Sequence, residues 1–93
     1  INIDTCEAPP FPGSHHNSIH HNIACSVTAT ASIALGGSSN DNRIQDNIAT
    51  TISVFASGNL VRYNTTQIAI VDNGAGNTLN NNLVDAFVCL PSQ

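Results

Sequence analysis

The chain has 93 residues, enough for one domain whose single core is of marginal size. Only 9% of the residues are charged; Lys is absent, and the two cations, Arg43 and Arg62, face six carboxylates for a formal charge of −4. That balance excludes nucleic acid, which needs clustered cations to neutralise phosphates, and a basic membrane-binding face. No apolar run reaches the length that spans a bilayer.

Residues 1–14 read as a Pro-rich extended arm or cap, and residues 15–93 as the body of the fold. Pro9, Pro10 and Pro12 forbid helix in the first segment and favour an extended path. The start at Ile1 rather than Met leads us to expect that a signal peptide or larger upstream part has been removed. Neutral polar side chains stand where charge is missing, above all thirteen Asn. Ile, Val and Leu nevertheless recur at regular intervals, which a disordered chain would not need.

From Asn17 the chain repeats an Asn-x-(Ile/Val/Leu)-x-x-Asn unit four times. The units are Asn17-Ser-Ile19-His-His-Asn22, Asn42-Arg-Ile44-Gln-Asp-Asn47, Asn59-Leu-Val61-Arg-Tyr-Asn64 and Asn77-Thr-Leu79-Asn-Asn-Asn82, beginning 25, 17 and 18 residues apart. A second apolar element follows each: Ile33-Ala-Leu35, Ile52-Ser-Val54, Ile68-Ala-Ile70 and Phe87-Val-Cys89. The first unit carries an insertion, and Val27 to Leu35 alternate as one long strand would. One β element plus turn residues per short period predicts stacked coils, with Ile19, Ile44, Val61 and Leu79 in one inward column. Asn is expected at the corners in the left-handed conformation, bonded to its counterparts in a ladder. Gly36, Gly37, Gly58, Gly74 and Gly76 fall in connections where positive φ is needed.

These units, with the Ile-Ala-Leu and Ile-Ala-Ile strands, resemble the right-handed parallel β-helix repeat of pectate-lyase-like proteins and of periplasmic copper-protein maturation β-helices. The resemblance covers about Asn17 to Cys89. It implies an all-β fold, a short right-handed parallel β-helix (β-solenoid) of about four coils; family members usually have more and longer coils. The alternative fold for short, evenly spaced strands is an antiparallel β-sandwich.

Few residues carry chemistry. The resemblance brings polysaccharide cleavage to mind, but a glycosidase needs two carboxylates at a defined separation; Asp41, Arg43 and Asp46 read instead as a solvated surface ion pair. His15, His16, His20 and His21 are the metal-ligand candidates, yet His16 and His20 on one strand face would lie about 13 Å apart, too far for one tetrahedral ion. No cofactor is expected. Cys6, Cys25 and Cys89 are the disulfide candidates and point to an extracellular or cell-surface setting; an odd count leaves one thiol free or paired with another chain. Cys89, aligned with Leu35, Val54 and Ile70, reads as a core position. Asn64-Thr65-Thr66 matches a glycosylation sequon, which predicts a surface Asn64 only in a host that glycosylates secreted proteins.

The expectation is therefore a non-catalytic structural subunit. A body of four coils has two open ends whose strand edges invite pairing, so copies would stack head to tail into a filament, with disulfides between subunits. The partner would be the chain itself; carbohydrate is the second candidate, as for a binding module or a fragment of a larger β-helix adhesin or enzyme, though Tyr63 is its only Tyr and Trp is absent.

Overall fold

The computed structural model describes residues 1–3, 15–26, 32–37 and 39–89. The Pro-rich stretch from residue 4, Cys6 and most of the insertion lie outside them. The described residues are all-β, in ten strands: β1 (Asn2–Ile3), β2 (Ser18–His20), β3 (Ile23–Ala24), β4 (Ile33–Leu35), β5 (Arg43–Gln45), β6 (Ile48–Val54), β7 (Leu60–Arg62), β8 (Thr65–Asp72), β9 (Thr78–Asn80) and β10 (Leu83–Val84).

Two sheets form, one in the order β2-β5-β7-β9, the other β1-β4-β6-β8-β10 with β3 also beside β6, and neither closes on itself. Every pairing among the described residues is parallel, which rules out the antiparallel sandwich. The chain crosses from one sheet to the other and back, laying down four layers: residues 17–26 with 32–35, then 42–54, 59–72 and 77–84. Ile19, Ile44, Val61 and Leu79 are successive Cα partners in the first sheet. Their neighbours alternate outward as a pleated strand requires: Ile44 is buried between an exposed Arg43 and a half-buried Gln45.

The second sheet departs from the expected alignment. Ile52 is partnered by Ile70, and Val54 by Asp72, so the third strand is displaced by two positions from the alignment read in the sequence. One residue, Thr50, opposes two, Gln67 and Ile68, between Ala49/Thr66 and Thr51/Ala69. This bulge turns Ile68 outward, where it is exposed. In the fourth layer the partner of Thr65-Thr66 is Leu83-Val84, and Phe87 to Cys89 lie in a turn. Of the long strand expected over Val27 to Leu35, Ile33 to Leu35 is the described part.

The core is a narrow column between the sheets: Ile19, Ile33, Leu35, Ile44, Ala49, Ile52, Val54, Ala56 and Val61. Burying such a side chain contributes about 1.5–3 kcal/mol. Thr66 sits in the same interior, in a column with Ala24, Ala49 and Val84, and its buried hydroxyl has no partner among the described residues.

The corners follow one rule. His16, His21, Asp41, Asp46, Gly58, Tyr63, Gly76 and Asn81 all have φ between 54° and 73°, and each immediately precedes a repeat Asn. The left-handed residue is thus the one before the Asn, a correction to the expected arrangement. Asp, Asn, His and Gly are the types that tolerate this conformation best. Gly74 is required for another reason: a Cβ there would run into the carbonyl oxygen of Ala56.

Candidate functional site

The repeat Asn build two continuous ladders through the four layers, one along Asn17, Asn42, Asn59 and Asn77, the other along Asn22, Asn47, Asn64 and Asn82. In each step the backbone N–H and the Nδ2 of one Asn both donate to the Oδ1 of the next, at 2.8–3.2 Å. The amides also reach back: Asn47 Nδ2 donates to the carbonyl of Ile19, Asn64 to that of Ile44 and Asn82 to that of Val61, each at 3.0 Å. Asn42, Asn47, Asn59 and Asn64 are at most 2% exposed. A buried amide is tolerable only when its donors and acceptors are met, and the stacking meets them.

The ladders are polar in direction, so their two ends differ. At the N-terminal face no donor among the described residues reaches Oδ1 of Asn17 or Asn22. At the C-terminal face the backbone N–H groups of Asn77 and Asn82 have no acceptor among them. The apolar columns differ as well. Ile19 in the first layer is 7% exposed, whereas Leu79 at the other end of that column is 38% exposed, and Val84 59%. Leu83 and Phe87 are exposed as well. The C-terminal face is an unfinished core.

The chain does not finish it in the described residues. After Val84 it turns, and Cys89 forms a disulfide with Cys25, which follows the first-layer strand β3. Cys25 and Cys89 are thus bridged within the chain, the expected Cys6 bridge lies outside the described residues, and Cys89 is a half-buried tether instead of a core column member. Its sulfur lies 3.9 Å from Thr50 Oγ1 at the bulge, and Gln67 Nε2 donates to the carbonyl of Ala86, so the tail climbs back across the second sheet.

The His pair up by sequence neighbour. Nδ1 of His15 lies 2.6 Å from Nδ1 of His16, and the Nδ1 atoms of His20 and His21 are 2.8 Å apart, with rings edge to face. In each pair the tautomers set which ring nitrogen donates and which accepts. Among the described residues no third His, Cys, Asp or Glu joins either pair to make a metal cluster. His16 and His21 are also left-handed corner residues, which gives those two a conformational role.

Along the outer corner of the first ladder runs a shallow groove of about 410 Å³, bounded by His16, Asp41, Arg43, Leu60, Gly76 and Thr78 from all four layers. Asp41 is its one carboxylate. No ion pair joins Asp41, Arg43 and Asp46 among the described residues; both Asp are left-handed corner residues, and this conformational demand explains them without an ion pair. Arg62 instead donates to Gln45 Oε1 at 3.1 Å and lies 5.5 Å from the centre of the Tyr63 ring, away from the groove. Asn64, the sequon residue, is 1% exposed with its amide bound in the ladder, so it does not take the surface position that a used sequon requires.

No helix among the described residues is long and apolar enough to cross a membrane. Comparison with known proteins returns nothing: no family model, no curated protein and no solved structure matches this chain.

Proposed function

We propose that the chain is a short right-handed β-solenoid of the parallel β-helix kind and serves as a non-catalytic structural subunit, stacking head to tail on copies of itself. The observation that carries this reading is the C-terminal face, where the interior columns end in the exposed Leu79 and Val84 beside the N–H groups of Asn77 and Asn82, which have no acceptor among the described residues. An open edge of this kind pairs with whatever extended chain offers complementary groups. The N-terminal face offers them, in the Oδ1 atoms of Asn17 and Asn22, which no donor among the described residues reaches, at the same five-residue spacing. A contact between unlike faces does not close, and it yields a filament. An extracellular or cell-surface setting goes with this reading, because a disulfide persists in an oxidising compartment.

Sedimentation velocity over a concentration series, with negative-stain electron microscopy of the same samples, tests the proposal. Concentration-dependent rods are expected, growing by about 19 Å per copy, which is four strand spacings. A monodisperse monomer at roughly 100 μM, a weak affinity by any interface standard, would overturn it.

The corner groove favours a second reading, a carbohydrate-binding module or a piece of a larger β-helix adhesin or enzyme. Polar groups from four layers line it. Tyr63, the sole Tyr, lies elsewhere, so the groove offers no aromatic platform. Glycan-array binding that depends on Asp41 and Arg43, without self-assembly, would favour this reading over stacking.

A further inference from the structure

The four layers are not flush, and this has a consequence for what a second copy would occupy. Beneath β8 the fourth layer covers only Thr65 and Thr66, through β10. After Val84 the chain leaves the layer for the Cys25 disulfide, so among the described residues no strand lies beside Ile70 to Asp72 on the side away from β6. At the opposite face the reverse holds. β1 stands one layer beyond β4, paired through Asn2↔Ala34 and Ile3↔Leu35, with Ala34 N–H donating to the Ile1 carbonyl at 2.8 Å. Nothing described lies beside β1 in that outer layer. Among the described residues there is thus a strand too many at one end and a strand-sized vacancy at the other.

We infer that the vacancy beside β8 receives the β1 strand of a second copy, which completes the last layer of its neighbour. This rests on the head-to-tail reading and specifies its joint. The registers agree: β1, β4, β6 and β8 form one series in which Asn2, Ala34, Ser53 and Val71 are successive partners. Placing β1 of a second copy under β8 repeats that series without a gap. β9 and β10 then lie over β2 and β3 of that copy.

The hydrogen bonds follow from the alternation already present. Phe55 N–H donates to the Leu35 carbonyl and Asn73 N–H to that of Val54, which leaves the backbone groups of Ile70 and Asp72 facing the vacancy. Asn2 of the incoming strand, whose backbone points away from β4, donates to the Ile70 carbonyl and accepts from Asp72 N–H. In the first sheet, Ser18 N–H donates to the Asn77 carbonyl, as Arg43 does to Asn17 and Thr78 to Asn59. The N–H groups of Asn77 and Asn82 meet Oδ1 of the second copy's Asn17 and Asn22. Donors and acceptors are thus complementary across the joint. Ile19 is already shielded, so the apolar gain comes from covering Leu79 and Val84.

Disulfide trapping in the full chain tests this, in a Cys6→Ser background. One variant carries Asn2→Cys with Val71→Cys; the other carries Ser18→Cys with Thr78→Cys. Within one chain each pair is three layers apart, about 14 Å at ~4.8 Å per layer, beyond disulfide reach, so a bridge reports two copies. Both variants are expected to give a series of covalent multimers on non-reducing gels, at least tenfold above single-Cys controls, collapsing to monomer with reductant. Multimers from the Ser18/Thr78 pair alone would overturn the β1 placement and leave stacking intact. No bridging in either would overturn both. If a double variant does not fold, mixing the single variants Asn2→Cys and Val71→Cys must give a covalent mixed dimer, and its absence overturns the placement.

Discussion

At the scale of the residue, the ladder Asn does work that an apolar side chain would do in most cores. Asn47 is 1% exposed; its Nδ2 donates to the Ile19 and Gln45 carbonyls and to Asn64 Oδ1, and its Oδ1 accepts from Asn22 N–H and Nδ2. Asn47→Ala removes all of these and leaves buried partners unmet, at about 1–3 kcal/mol for each group that cannot find water. We expect a loss of roughly 3–5 kcal/mol in urea unfolding. Asn17→Ala, at the exposed end of the other ladder, should cost about 1 kcal/mol or less, because water replaces the amide. Equal losses at the two sites would show that the ladder contributes nothing beyond local turn geometry. Thr66 is the converse case, fully buried with an unpartnered hydroxyl. Thr66→Val keeps the shape and removes the polar group, so it should raise stability by about 1 kcal/mol. A drop in the urea midpoint for this variant would mean that the hydroxyl is satisfied in solution.

At the scale of the element, the Cys25–Cys89 bridge ties the tail that follows the last layer to the end of β3 in the first, across a sequence separation of 64. Closing a loop of that length restricts the unfolded chain by about 4 kcal/mol. The Cys25→Ser/Cys89→Ser double variant should lose that order of stability, read from its urea midpoint, with the layers between unchanged in far-ultraviolet circular dichroism. The first sheet was legible in the sequence because Asn17, Ile19 and Asn22 and their repeats stand at fixed spacing. Side-chain period, corner and ladder therefore all require the same register. The second sheet was less so, because Gln67-Ile68 add a residue at the bulge and Ile68 still looks like a core position by type. β3 and β10 are two residues each, below any periodicity that a pattern can reveal. The corner residue itself carried a signal that composition hides. Asp41, Asp46, His16, His21 and Asn81 suggest chemistry or solvation by type, while their shared place before Asn marks a conformational demand. Cys89 was misaligned because its spacing matched the strand series, whereas its partner was fixed by a tail that climbs backward.

At the scale of the whole molecule, the proposed joint is made of backbone pairs, Asn amides and apolar side chains. Charge enters only as repulsion. Each copy carries a formal −4 and the sequence holds two cations, so copies about 19 Å apart along a stack repel one another. The screening length is about 30 Å at 0.01 M salt and 10 Å at 0.1 M, so neighbours interact at low ionic strength and are largely screened at higher. Raising NaCl from about 10 to about 200 mM at pH 7 should therefore lengthen the rods and raise the weight-average mass in sedimentation. The sign separates this joint from a charge-mediated one. Were Arg43 or Arg62 of one copy held by a carboxylate of the next, the same salt would shorten the rods, because an exposed ion pair weakens as it is screened. Shortening would thus remove the ladder joint in favour of an electrostatic contact between the sides of the molecule, where those arginines lie.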